Sequence, residues 1–134
     1  MAVDLPEKIR TALEEPQFWH LATVNPDGSP QVTTMWVSTR DGKILLNTAL
    51  GRKKPRNLER DGRIAMSWSD PQNGYHSASI QGRVVGSYTG EQAEQDIDDL
   101  AQKYIGQSPY PWRSPGEQRI TYLVEPTHVY HQDP

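Results

Sequence analysis

Apolar residues first recur at a helical interval between Pro6 and Glu14, where Ile9 and Leu13 lie four apart with charged residues between them. Proline at the start of such a stretch gives up no helical hydrogen bond, so a short amphipathic helix is predicted, ending near Pro16. From Trp19 the pattern changes: Trp19 to Val24 reads as a strand. Asn25-Pro26-Asp27-Gly28-Ser29 then reads as a turn in which Asp-Gly supplies the positive-φ position of a hairpin. The second arm, Gln31 to Ser38, alternates and is rich in β-formers, and Arg40 to Lys43 turns the chain into a third strand, Ile44 to Thr48.

Gly51 to Asp61 departs from this pattern. It is dense in Arg and Lys, and Lys54, Asn57 and Leu58 fall at helical spacing, so a loop opening into a short helix is predicted. Strands resume at Ile64 to Ser69, turn at Asp70 to Gly74, and continue through a long strand, Tyr75 to Tyr88, expected to bend at Gly82 or Gly86. Glu91 to Tyr104 is the clearest helix: Ala93, Ile97, Leu100, Ala101 and Tyr104 share one face, Thr89 or Gly90 starts it and Gly106 stops it. A proline-rich loop, Gln107 to Gly116, leads to a strand at Arg119 to Glu125 and a short last one at Thr127 to His131. Six or seven short strands with regular turn signals predict a mainly β fold, a small antiparallel barrel with a few helices, in one domain spanning 1–134.

Composition narrows the function classes. Only 34% of the 134 residues are apolar, so the core is thin for the chain's length and the chain is expected to lean on something beyond itself. The mean hydropathy is -0.79, and no apolar run approaches the roughly 20 residues that span a bilayer, which argues against membrane insertion. Met1 to Arg10 is charged and carries no apolar stretch before a cleavage site, so a cytoplasmic location is expected. With no cysteine there is no disulfide, thiolate metal site or Cys nucleophile. A net charge of -3 argues against general affinity for nucleic acid.

The sharpest local feature runs against that net charge. Arg52, Lys53, Lys54 and Arg56 put four cations in five positions directly after a strand. Arg forks and Lys point charges beside a helix start suit a phosphate group, although a charge run taken alone is more often a solvated loop. Thr33, Thr34, Met35 and Trp36 on one strand, with Asn47, Thr48 and Ala49 on the next, could present hydroxyls and an amide to a polar ring edge, and are equally ordinary strand composition. Four Trp and six Tyr against one Phe bias the aromatics toward rings with a polar handle. His20, His76, His128 and His131 show no metal-ligand spacing, so no metal site is expected. Asp96, Asp98 and Asp99 read as the solvated face of their helix. No nucleophile elbow, dinucleotide fingerprint or P-loop occurs.

His20-Leu21-Ala22-Thr23-Val24 with Asp27-Gly28-Ser29-Pro30-Gln31, then Met35-Trp36, then Thr48 with Lys54, Asn57 and Leu58, then Gln81-Gly82 form an ordered set. In that order they resemble the pyridoxamine 5'-phosphate oxidase-like split-barrel superfamily of flavin- and deazaflavin-binding oxidoreductases, over nearly the whole chain. Arg52 to Leu58 followed by Asp61 and Arg63, with Tyr110-Pro111-Trp112, look most like the branch that uses coenzyme F420. The resemblance implies a homodimeric split barrel with two cofactor sites in the groove between subunits. By position it makes Lys54 a phosphate ligand, with Arg52, Lys53 and Arg56 as neighbours and Thr48 as a hydroxyl donor beside Ala49. Gln31, Thr33, Thr34, Met35 and Trp36 would lie along the ring and ribityl chain, Asn57 would brace the loop, and Trp68, Gln81 and Trp112 would approach from the second subunit. The implied activity is hydride transfer from reduced F420 to a conjugated small molecule such as an enone, quinone or tetrapyrrole. FMN in place of F420, or a non-catalytic protein that binds a flavin, F420 or a tetrapyrrole, are the alternatives.

Overall fold

The computed structural model describes residues 2–134. In chain order the elements are α1 (Glu7–Glu14), β1 (Trp19–Val24), β2 (Pro30–Met35), β3 (Val37–Arg40), β4 (Lys43–Ala49), α2 (Lys53–Arg60), β5 (Arg63–Asp70), β6 (Asn73–Thr89), α3 (Glu91–Ile105) and β7 (Arg119–Gln132). The seven strands form one antiparallel sheet in the order β2-β1-β5-β6-β7-β4-β3. Its two edge strands, β2 and β3, are consecutive in the chain and separated only by Trp36. Edges that far apart in the sheet yet one residue apart in sequence require the sheet to curl on itself. The result is a split barrel, hydrogen-bonded all round except at the β2/β3 seam.

Two strand boundaries differ from expectation. The predicted strand Gln31 to Ser38 is two strands, because the chain leaves one edge at Met35 and enters the other at Val37. The two short strands predicted after Arg119 are one, β7, which runs through Pro126 by means of a bulge. Gln81 pairs with His128 and Gly82 with Pro126, leaving Thr127 as the extra residue. Gly82 is needed at that bend: a Cβ there would lie 2.7 Å from the Glu125 carbonyl oxygen and 2.9 Å from Val124 Cγ1. A second register shift precedes Gly86, so the strand is irregular at both glycines, where the sequence predicts a bend at one or the other.

The interior is lined by Trp19, Leu21, Val37, Ile44, Leu46, Ile80 and Val124, with Ile9 and Leu13 of α1 closing one end. Trp19 Nε1 donates to the Ala12 carbonyl at 3.2 Å, tying that helix to β1. Strand β4 reads as a continuous apolar run because both its faces are covered. Ile44 and Leu46 point into the barrel, while Leu45 packs outside against Ile97 and Leu100 of α3. Helix α3 stops at Gly106, whose φ of 68° forms the left-handed cap.

Asp96 overturns the expected solvated role. It is buried on α3, where it accepts from both Arg40 amino groups at 2.9 and 3.1 Å, Tyr88 Oη at 2.6 Å, Thr121 Oγ1 at 2.7 Å and Gln92 Nε2 at 2.8 Å. A carboxylate so surrounded is a structural clamp between α3, β3, β6 and β7. Among the described residues no helix is long and apolar enough to cross a membrane.

Candidate functional site

The basic segment departs from β4 at Ala49, turns at Gly51 with a φ of 91°, and starts α2 at Lys53. No side chain caps this helix and its first turn carries no acidic residue. Cations at a helix N-terminus oppose the helix dipole. Stability alone therefore gives no reason for placing three or four of them there, whereas an incoming anion does.

Of the four, the fold turns only some inward. Lys54 and Arg52 line a groove of about 300 Å³ beside the β2/β3 seam, and the groove also takes Thr34, Met35, Trp36, Thr48 and Trp112. Residues distant in sequence, each predicted separately, thus line one groove. Lys53 is exposed, and Arg56 donates to the Gly51 carbonyl at 2.6 Å, holding the loop. Asn57 is buried and donates to Thr23 Oγ1, Asn25 Oδ1 and Gln31 Oε1 while accepting from Arg60 at 2.8 Å. It braces α2 against β1 and β2, and engages Gln31 in doing so. Thr33 Oγ1 is buried without a partner, and Ala49 is buried where β4 pairs with Arg119.

Trp68 and Gln81 lie elsewhere. The Trp68 ring sits in the core, stacked on Trp19 with centroids 5.9 Å apart. Gln81 lines a separate groove of about 560 Å³ on the outer face of β1, β5 and β6.

Lys54 Nζ contacts Met35 Sδ at 2.8 Å, a weak acceptor, and makes no ion pair among the described residues. Burial, followed by repulsion from Arg52 and Arg119, lowers its pKa from 10.5 to about 8. Arg119 has no counterpart in the sequence reading, because a single Arg at a strand start carries no distinguishing pattern. It is 3% exposed, donates through Nε to Asn47 Oδ1 at 2.9 Å and lies over the Tyr110 ring at 5.3 Å. Its Nη1 is 3.3 Å from Glu117 Oε2, yet neither atom has a hydrogen-bond partner. Burial drives the guanidinium pKa down and Glu117 partly restores it. Glu117 also receives Arg52 at 3.2 Å, so one carboxylate stands against three cations.

The rest of the groove lining is aromatic and adjoins these cations. Trp36 stacks on Tyr104 with centroids 5.3 Å apart and planes 12° from parallel, meets Tyr110 edge-on at 6.0 Å, and has Trp112 at 5.9 Å. Tyr104 is fixed in turn by donating to the Gln17 carbonyl at 2.6 Å and accepting from the Val37 amide at 3.0 Å. An aromatic cluster beside an under-neutralised cationic one in a single groove suits a ligand with a flat ring and an anionic tail.

Comparison with known proteins agrees with this architecture. Residues 5–133 match the family described as pyridoxamine 5'-phosphate oxidase. The structure of an F420 reductase is similar at a TM-score of 0.82 and 32% identity, covering 96% of this chain and 100% of that one. A conserved hypothetical protein from Mycobacterium tuberculosis shares the fold at a TM-score of 0.71 and 21% identity, over 98% of this chain and 86% of its own. HupZ of Group A Streptococcus does so at 0.68 and 16%, over 95% and 94%. Comparison with curated proteins gave no match. A likeness that runs the length of the chain, in sequence and in fold together, makes it a member of the pyridoxamine 5'-phosphate oxidase family.

Proposed function

We propose that the protein is an F420-dependent oxidoreductase that transfers a hydride to a conjugated small-molecule acceptor, an enone, quinone or tetrapyrrole, and acts as a homodimer whose second copy completes the groove. The observation that carries this reading is the meeting of Lys54, a lysine without a carboxylate, with Arg52, Arg119 and Trp36 in one groove. Family membership and the 32% identity to an F420 reductase support it.

The donor set fits an anionic cofactor. Lys54 has lost water without gaining a counter-ion, and a phosphate oxygen would restore its full charge. Arg119 Nη1 is a buried donor without a hydrogen-bond partner, and Asn47 holds that guanidinium in place from behind. The uncapped start of α2 adds backbone N–H groups on the same side. Three cations against one carboxylate favour the more anionic F420 over FMN. Reduced F420, when bound, supplies the hydride. The protein's part is binding, orientation and exclusion of water. Trp36, locked by Tyr104 and Tyr110, gives the ring a surface that costs no further ordering. The thin core fits this reading, since a groove for a polar ligand is lined partly by Thr, Lys and Arg.

Titration with F420 and with FMN, followed by ligand fluorescence, tests the proposal. Saturable F420 binding tighter than FMN binding is expected, with Lys54→Ala weakening F420 by about 1.5–3 kcal/mol. Saturable binding of neither ligand overturns the reading, and tighter FMN binding by a protein that purifies yellow transfers the site to FMN. Binding without oxidation of reduced F420 by any quinone or enone acceptor makes the protein a carrier.

A further inference from the structure

The end of the sheet where β6 begins and the antiparallel β7 finishes carries a cluster that the proposed cofactor groove does not use. His76 and His131 are 55 residues apart in sequence, but their Nε2 atoms face each other at 3.1 Å. Asp133 lies just beyond β7, and ligand atoms of all three residues fall within 4.8 Å of one another. We propose that His76, His131 and Asp133 form a binding site for a divalent transition-metal ion of the zinc class, with one coordination position left to water.

Three observations converge on this assignment. His76 Nδ1 is 3.3 Å from Asp70 Oδ2, a carboxylate that fixes the Nδ1–H tautomer. The lone pair of His76 is thereby left on Nε2, aimed at His131. Carboxylate-oriented imidazole is the usual support for a metal-bound histidine. Next, zinc–nitrogen bonds of about 2.0–2.1 Å in a tetrahedral site place two ligand nitrogens about 3.3 Å apart. The observed 3.1 Å is already close to that spacing, so loading needs little movement. Finally, the first ligand is held in place: His76 is only 14% exposed and packs edge-on against Trp68 with centroids 5.1 Å apart. With no metal, the same pair is satisfied by a hydrogen bond from His131 Nε2–H to His76 Nε2, which is the competing arrangement.

Asp133 is shared: Lys8 of α1 donates to its Oδ2 at 2.6 Å, so an incoming ion competes with an ammonium for that carboxylate as well as with any proton on the imidazoles. The site therefore couples the last residues of β7 to β6, and metal binding competes with the tie between β7 and α1. No part of this depends on which cofactor occupies the groove.

The test uses the full chain, stripped with a chelator and titrated with zinc chloride alone by calorimetry. Cobalt(II) in place of zinc reports tetrahedral coordination by its visible absorption. One ion per chain is expected, with His76→Ala and His131→Ala each lowering affinity at least tenfold. Asp70→Asn keeps all three ligands and should lower affinity roughly tenfold, whereas Lys8→Met removes a competitor and should raise it. No saturable zinc binding by the wild type overturns the proposal, as does undiminished binding by a folded His76→Ala/His131→Ala double variant. If that double variant fails to fold, equal zinc affinity of Asp70→Asn and Lys8→Met overturns it instead.

Discussion

Replacing Lys54 by Met should make the ligand-free protein more stable while removing the ligand contact. Burial, then repulsion from Arg52 and Arg119, lowers the Lys54 pKa from 10.5 to about 8. In the unfolded chain the same amine keeps its proton to about pH 10.4. Between the two values the unfolded chain binds more protons than the folded one, so stability rises with pH across that window. Below it the folded protein carries the whole penalty. At about 1.4 kcal/mol per pH unit the gap is worth about 3 kcal/mol, which solvent screening of a partly exposed side chain reduces to on the order of 1–2 kcal/mol. Met keeps the packing of the aliphatic stem without the charge. Urea denaturation of both proteins at about pH 7 and about pH 10 provides the assay, and the variant should lead by about 1–2 kcal/mol at the lower pH and by almost nothing at the higher. Lys103, whose amine burial likewise lowers to about 8, contributes equally to both proteins and drops out of the difference. A variant no more stable than wild type at neutral pH, or an advantage flat with pH, refutes the reasoning.

On the proposed function the same amine should also set the pH dependence of F420 binding. An anion raises the Lys54 pKa, so F420 affinity should be level below about pH 7 and fall by up to tenfold per unit above about pH 8, a fall that Lys54→Arg should abolish in fluorescence titrations. Asp96→Ala strands the Arg40 guanidinium and should cost about 3–5 kcal/mol in urea denaturation. Burial opposes ionisation of Asp96, but Arg40, Tyr88, Thr121 and Gln92 outweigh it and hold its carboxyl below the usual 3.8. The Asp96 contribution is therefore complete above that value and lost as pH falls through the lower folded one, and acid denaturation of Asp96→Ala should lack that component. Gly82→Ala drives a Cβ against the Glu125 carbonyl and should lower stability by about 1–3 kcal/mol, read as a drop in melting temperature.

Local chemistry made much of the fold legible. The Asp27-Gly28 turn, with Gly28 at a φ of 88°, and the apolar face of α3 follow from rules that need no tertiary information. The break at Trp36 does not, because β-forming residues continue on both sides and only curling of the sheet puts Met35 and Val37 on opposite edges. Pro126 reads as a strand terminator until Gly82 is seen to lie opposite it. Asp96 follows the same logic: on helical spacing it is one acid among several, and only the approach of Arg40 from β3 and Thr121 from β7 buries it. For the groove, the basic run and the Thr33 to Trp36 segment are visible as local compositions. Arg119 and the His76–His131 pair are single residues whose partners lie dozens of positions away, and no spacing rule reaches them.

The β2/β3 seam has a consequence for how the barrel moves. Elsewhere around the barrel, neighbouring strands are stitched by backbone hydrogen bonds; at the seam the two edges are joined covalently through Trp36. Opening the barrel there breaks no backbone ladder, and it is also where the cationic groove lies. On the proposed function, a ring lying on Trp36 with its anionic tail on Lys54 would act as a rivet across the slit. Occupancy and closure of the seam would then be one equilibrium, with the ligand fastening the line of the sheet that lacks backbone pairing.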